Sequence, residues 1–294
     1  MSFAIIVDST SDMNAAMRKK YDIDYVAMNY VVDGVEYPAS LDWTAHSPKE
    51  FYDMMREGKR ITTTQVPRES LVSAFSAQLE QGKDVVYVAC SSALSGSWNL
   101  STLVAEELAQ QYPEHRVYCV DSLISSLGQS AIAVLAAKLR EEGKSAAETA
   151  SYLEEHRLRF NQYGSCDTLE YLRRAGRVKA SKAFFGNLFG VKPILISDKV
   201  GQNYAVKKAK GALNARIALA DGIAEVVENS AEQVLYISHA DNEAGAMQVK
   251  DLILERAPFA DVEISYITPI VGSCVGPGTI IAFCYGKEVT VQGE

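Results

Sequence analysis

Positive charge is what this 294-residue chain most clearly lacks: 29 lysines and arginines stand against 37 acids, a net charge of −8. A general nucleic-acid binder needs a basic stripe to displace phosphate counterions, and none runs through the sequence. Long apolar runs are missing too. Residues 3–7 are apolar but end at Asp8, too short for a signal segment or a spanning helix, and no other stretch nears twenty residues. The chain is therefore expected in the cytoplasm. Its five cysteines, Cys90, Cys119, Cys166, Cys274 and Cys284, form no CxxC pair, which argues against a disulfide framework or a zinc site. No GxxxxGK[ST], GxGxxG or GxSxG loop occurs. What is present is core-forming material: 48% of residues are hydrophobic and no long polar tract interrupts them, which excludes disorder.

A chain of this length suggests two domains. Apolar, β-branched runs at 3–7, 84–90 and 116–121 alternate with helical patterns near 13–20, 98–111 and 129–142. That alternation predicts a parallel sheet covered on both faces, an N-terminal three-layer α/β/α domain. After a helical pattern near 145–157, strand patterns at 163–168, 192–197, 234–238, 261–268 and 279–285 outnumber helices such as 243–256. Fewer helices per strand imply a C-terminal two-layer α/β domain. The boundary falls near 157–163, dividing the chain into residues 1–160 and 161–294.

The loops after the early strands are rich in hydroxyls: Ser9-Thr10-Ser11, Thr62-Thr63-Thr64-Gln65, the segment from Ser91 to Ser97, and that from Ser122 to Ser126. In open parallel sheets, ligands bind outside the carboxyl ends of the strands. If these loops share one sheet edge, their hydroxyls and the helix-start N–H groups converge on one anionic head group. The loops carry no lysine or arginine, which suits a singly charged carboxylate held by neutral donors. Any one of these residues on its own is explained as a helix cap, and Asp8 as a strand-end residue bonding its own turn. Ser95-Gly96-Ser97 is the strongest case, because Gly96 admits a ligand close to the backbone. A stand-alone phosphotransferase or serine hydrolase using the same loops is the alternative. Ser95 stands in LSGSW rather than GxSxG, and of the four histidines only His239 follows a strand pattern, unlike His46, His115 and His156. Asp8 as a phosphate-accepting nucleophile would want a second aspartate where the chain has Thr10.

In order along the chain stand IVDSTSDM, Thr63-Thr64-Gln65-Val66-Pro67, SSALSGSW, DSLISSLGQ, LEYLRRAGRV, VKPILIS, SHAD and GPG. Together they resemble the DegV family, whose members serve as fatty-acid-binding subunits of bacterial fatty acid kinase. The resemblance implies that Thr63 and Ser95 hold the carboxylate; Thr64, Ser92, Gly96, Ser97, Ser122, Ser126 and Cys274 are expected to support the head group around them. It implies a long acyl chain, palmitate for example, in a tunnel between the domains, with Phe184, Phe185, Leu188, Phe189, Ile194 and Leu195 as candidate walls. Burying about fifteen methylenes at ~0.8 kcal/mol each offers roughly 12 kcal/mol before the costs of binding. No cofactor, metal or membrane anchoring is implied, and no chemistry by this chain alone. The implied partner is a separate ATP-dependent kinase subunit that phosphorylates the carboxylate to an acyl phosphate, with Arg173, Arg174 and Arg177 facing it. The chain departs from the family pattern at Cys274, which stands where a histidine precedes the GPG turn. That departure points to a lipid store or sensor uncoupled from the kinase as a further alternative. An expected arginine is replaced within Lys207-Lys208-Ala209-Lys210, and Val66-Pro67 stands for Pro-Ser.

Overall fold

The computed structural model describes residues 3–179, 184 and 190–293. Strand β1 (Ala4–Asp8) leads through α1 (Ala15–Tyr21) to β2 (Ile23–Val26), then to β3 (Asn29–Val32) and β4 (Val35–Pro38). Helix α2 (Pro48–Arg56), β5 (Ile61–Thr63) and α3 (Arg68–Leu79) follow, then β6 (Val85–Ala89), α4 (Ser97–Gln111), β7 (Val117–Asp121), α5 (Leu127–Glu141) and α6 (Ala146–His156). The rest comprises β8 (Phe160–Ser165), α7 (Glu170–Ala175), β9 (Val191–Ser197), β10 (Asn203–Lys210), α8 (Gly211–Val226) and β11 (Val234–His239). It ends with α9 (Glu243–Leu254), β12 (Asp261–Tyr266), α10 (Pro269–Val275) and β13 (Ile280–Tyr285).

These elements form three sheets. The first is parallel, in the order β2-β1-β6-β7, with the α3–α4 and α5–α6 pairs packed on it. All five residues of β6 are buried, as expected of a central strand covered on both faces. The second sheet runs β10-β9-β8-β13-β11-β12 and is antiparallel except for the β11–β12 pair. Helices α8 and α9 pack on it around Ile194, Leu219, Ile223, Ile237 and Val249. Helix α5 touches both large sheets, through β1 and β6 of the first and β8, β11 and β13 of the second. That double contact explains its sequence: small and apolar residues face every side, and 11 of its residues are buried. A Cβ on Gly128, at its start, would lie 2.8 Å from the Phe283 ring of β13 and 2.5 Å from Ile124, so only glycine admits this approach. An α/β fold with a parallel sheet and a further sheet is therefore present, as composition and pattern require.

The third sheet, β4-β3-β5, was not expected from the sequence pattern. It matters because β5 holds Thr63 opposite Tyr30 of β3. Two strand limits also differ. The strand read at 163–168 begins earlier, at Phe160, and the one read at 261–268 stops at Tyr266 because Pro269 starts a helix. Among the described residues, no helix is long and apolar enough to cross a membrane.

Candidate ligand-binding site

The loop after β1 is fixed by Asp8, which is fully buried. Its Oδ1 accepts from Thr10 N at 2.9 Å and Thr10 Oγ1 at 2.5 Å, and its Oδ2 from Cys90 N at 2.8 Å and Tyr87 OH at 3.3 Å. A carboxylate with both oxygens occupied by protein donors is a scaffold rather than a nucleophile, which removes the main support for phosphotransfer through Asp8.

Beside this loop lies a cleft with about 840 Å³ of space free of protein atoms, part of it open to solvent. Thr63, Thr64, Gln65, Ser95, Gly96 and Cys274 line it, so hydroxyls 32 positions apart in sequence share one wall. Apolar side chains complete it: Met28, Leu94, Leu172, Ile281, and Ile270, Val271 and Val275 from α10. Three contacts brace the hydroxyl loops, the first between them and the other two within the Ser95 loop. Ser97 Oγ accepts from Val66 N at 3.1 Å and lies 3.0 Å from Ser95 Oγ, while Ser97 N donates to Ser95 Oγ at 3.2 Å. A Cβ on Gly96 would collide with the Gln65 amide oxygen, so glycine there lets the Gln65 loop lie against the Ser95 loop. The hydroxyl of Thr63 has no partner among the described residues, which leaves it free for a ligand.

Other residues expected at the site lie elsewhere. Ser92 Oγ bonds Asp121 Oδ2 at 2.5 Å, Ser122 Oγ donates to Ile124 O at 2.9 Å, and Ser126 Oγ lies 2.5 Å from Asp12 Oδ2. None of these three is among the described residues of the cleft wall; Ser92 spends its hydroxyl on the end of the neighbouring strand β7, Ser122 on its own loop and Ser126 on the packing of the two sheets. Ile194 points to the α8–α9 side of its sheet and Leu195, next along the strand, to the other side, and neither is among the cleft-lining residues. Phe184 is half-buried with the Lys208 ammonium 5.1 Å from its ring centre, and Phe185, Leu188 and Phe189 lie outside the described residues. Arg173 is paired with Glu170 through two bonds of 2.9 Å. Arg177, by contrast, lines the cleft, with Nε donating to Leu94 O at 3.1 Å.

Several cleft residues were not singled out from the sequence. Ser125 is one: it is the serine of the 122–126 loop that reaches the cleft, because Leu123 and Ser126 adopt left-handed backbone at φ 54° and 58°. Gln162 and Asn203 are others, joined by a 3.1 Å bond from Gln162 Nε2 to Asn203 Oδ1. No histidine lines the cleft among the described residues. His239 is buried, its Nδ1 accepts from Asn242 N at 3.3 Å, and burial holds its pKa below the usual value. Ser95 thus has no imidazole to take its proton, the pairing that a serine hydrolase requires. Burial pushes the Cys274 thiol up, against the opposing pull of Arg177, so at neutral pH it is a protonated wall residue and a poor nucleophile. Among the described residues, no cluster of histidine, cysteine, aspartate or glutamate could hold a metal ion.

Asp12 anchors the apolar wall. Its Oδ1 accepts from Thr268 N and Thr268 Oγ1, both at 2.7 Å, and Thr268 caps the start of α10. Complete burial raises its pKa from 3.8 to about 7, against the lowering effect of the Ser126 and Thr268 hydrogen bonds. The folded chain therefore holds this proton more tightly than the unfolded chain. The resulting stability is fully present below the unfolded value of 3.8, declines as pH rises toward about 7, and is flat above that. Asp12→Asn keeps the shape but cannot titrate. Its Tm relative to wild type should rise between about pH 5 and pH 8. A difference that stays constant over that range contradicts the raised pKa.

The profile of the DegV family, described as uncharacterised proteins, matches residues 2–287. A DegV domain-containing protein of Clostridium perfringens is 34% identical over 284 residues, 97% of each chain. A protein of Thermotoga maritima named as a fatty acid-binding protein is 30% identical over 289 residues, covering 95% of this chain and 96% of its own. Among solved structures, a fatty-acid-binding DegV family protein from Thermus thermophilus superposes with a TM-score of 0.88 at 28% identity, covering 98% of this chain and all of its own. A DegV lipid-binding protein from Thermotoga maritima gives 0.86 at 27% identity over 99% of this chain and all of its own. By its sequence and over nearly its whole length, the chain belongs to the DegV family.

Proposed function

We propose that the protein binds one long-chain fatty acid, with its carboxylate on the hydroxyls of Thr63 and Ser95 and its chain along the apolar side of the cleft. The observation that carries this reading is the pairing, in one cleft, of a free threonine hydroxyl and a braced serine hydroxyl with the aliphatic side chains of Ile270, Val271 and Val275 from α10. The carboxylate replaces water with hydroxyl donors and the tail leaves water altogether. Similarity to proteins named for fatty acid binding supports the same ligand class. Organic extraction of purified protein followed by mass spectrometry tests it: a near-stoichiometric long-chain fatty acid, or stoichiometric uptake of added palmitate by delipidated protein, is expected. Absence of both contradicts the reading.

In this reading the chain is a carrier and not an enzyme by itself, working in the cytoplasm without cofactor or metal. Its two domains, residues 1–160 and 161–294, enclose the ligand between them. It presents the head group to a separate ATP-dependent kinase subunit, which forms the acyl phosphate. Among the described residues no histidine lines the cleft with Ser95, which favours carrying over hydrolysis. A second reading, a lipid store uncoupled from the kinase, is favoured by Cys274, whose protonated thiol cannot serve as imidazole would. Acyl-phosphate formation with the kinase subunit separates the two: wild-type turnover supports the carrier, and turnover only after Cys274→His supports the store.

A further inference from the structure

Two polar side chains that the carboxylate site does not use interrupt the aliphatic lining of the cleft. Gln162 sits on β8, on the face it shares with Phe160, while Tyr163 between them in register turns to the α8–α9 core. Ser125 comes from the loop between β7 and α5. Gln162 is 5% exposed and Ser125 8%, and both line the cleft. Among the described residues, neither Ser125 Oγ nor Gln162 Oε1 has a hydrogen-bond partner.

The Gln162 amide has only one workable orientation. Asn203 Nδ2 donates to Arg177 O at 3.0 Å, which leaves Asn203 Oδ1 facing Gln162. That oxygen accepts from Gln162 Nε2 at 3.1 Å. Reversing the Gln162 amide would set two acceptor oxygens against each other, so the unpaired atom is its carbonyl oxygen.

An amide oxygen can only accept. A carboxylate also only accepts, so it cannot satisfy Gln162, and a run of methylenes would leave this buried oxygen without a partner. A donor on the ligand satisfies it. An alcohol is the group that suits both residues: its O–H donates to Gln162 Oε1 and its oxygen accepts from the Ser125 hydroxyl. A ketone or ester oxygen answers Ser125 alone.

We infer that the acid selected by this cleft carries a hydroxyl group on its acyl chain, held by Ser125 Oγ and Gln162 Oε1. This inference rests on the fatty-acid reading of the cleft and adds the substrate class, a hydroxy fatty acid. Selection comes chiefly from Gln162, because a site that pairs a buried ligand hydroxyl penalises the analogue lacking it.

Delipidated full-length protein is titrated calorimetrically with palmitate and with a series of hydroxypalmitates whose hydroxyl steps along the chain. An isomer with its hydroxyl at the matching position is expected to bind at least about tenfold more tightly than palmitate, and isomers remote from that position no more tightly. Gln162→Leu puts an aliphatic group in place of the oxygen and should reduce the preference below about twofold, chiefly by tightening palmitate. Ser125→Ala is a smaller change that leaves the bonds from Gln162 to Asn203 and on to Arg177 intact, and it should reduce the preference at least about threefold. Palmitate binding as tightly as every isomer keeps the fatty-acid reading and overturns the hydroxyl site. A preference that persists undiminished in either variant overturns it as well. Failure of every acid to bind, plain or hydroxylated, overturns the fatty-acid reading itself.

Discussion

Ser95→Ala should weaken palmitate binding by about 5- to 150-fold, the equivalent of about 1–3 kcal/mol for leaving a buried carboxylate oxygen without its donor. Thr63→Val, which keeps the shape of the side chain and removes its hydroxyl, should have an effect of similar size. Because both hydroxyls serve one carboxylate, their effects should not add: a double-mutant cycle should show coupling well above the few tenths of a kcal/mol expected of independent sites. The neighbouring serines provide the controls. Ser92→Ala removes a hydroxyl committed to Asp121 and should leave the affinity within about twofold. Ser97→Ala removes the link between Ser95 and the Val66 backbone, so it should weaken binding by less than Ser95→Ala does. The dissociation constants are measured by calorimetry on delipidated protein. An unchanged constant for both Ser95→Ala and Thr63→Val removes these residues from the head-group site.

Val271→Trp should have a still larger effect, and one that depends on chain length. Val271 projects from α10 into the cleft, and Asp12 holds the start of that helix in place through Thr268. An indole there occupies room that the acyl chain needs. Excluding four methylenes forfeits about 3 kcal/mol, roughly 200-fold in affinity for a long acid. A short acid that never reaches the indole should bind the variant nearly as well as wild type. Ile194→Val is the matching control: it trims a side chain in the α8–α9 core and should cost about 0.5–1.5 kcal/mol of stability with no change in affinity. Equal weakening of short and long acids by Val271→Trp would mean that the tail does not run past α10.

The parts of this fold most legible in the sequence are those whose residues are buried on every side. Strands β1 and β6 read as apolar runs because helices cover the parallel sheet on both faces, and α5 reads as a helix even though both large sheets enclose it. The small third sheet escaped notice because its strands are only three or four residues long and β4 is largely exposed. Its one strong signal was the Asp33-Gly34 pair, which takes φ 52° and 82° as a tight two-residue hairpin requires. Helix α2 was likewise not expected from the pattern, although Ser47 and Glu50 form a complete capping box with Pro48 in the first turn.

At the site, the hydroxyl-rich loops marked the right edge of the sheet but not the right atoms. Ser122, Ser125 and Ser126 are equivalent as letters. The left-handed backbone at Leu123 and Ser126 decides that Ser125 reaches the cleft while Ser126 turns to Asp12. Ile194 and Leu195 are adjacent in a strand and so face opposite sides of the sheet; an apolar run on a doubly covered sheet carries no mark of which side is which. The apolar wall of α10 was missed because seven residues starting at a proline and containing a glycine look like a loop. Thr63 and Ser95, by contrast, were prominent through the motifs that contain them, and both line the cleft.

The most direct test of the account is a crystal structure of the protein with palmitate. A curved, unbranched ligand is expected in the cleft, its carboxylate within hydrogen-bond distance of Thr63 Oγ1 and Ser95 Oγ and its tail against Ile270, Val271 and Val275. A carboxylate placed away from both hydroxyls, or a tail lying outside this cleft, contradicts it.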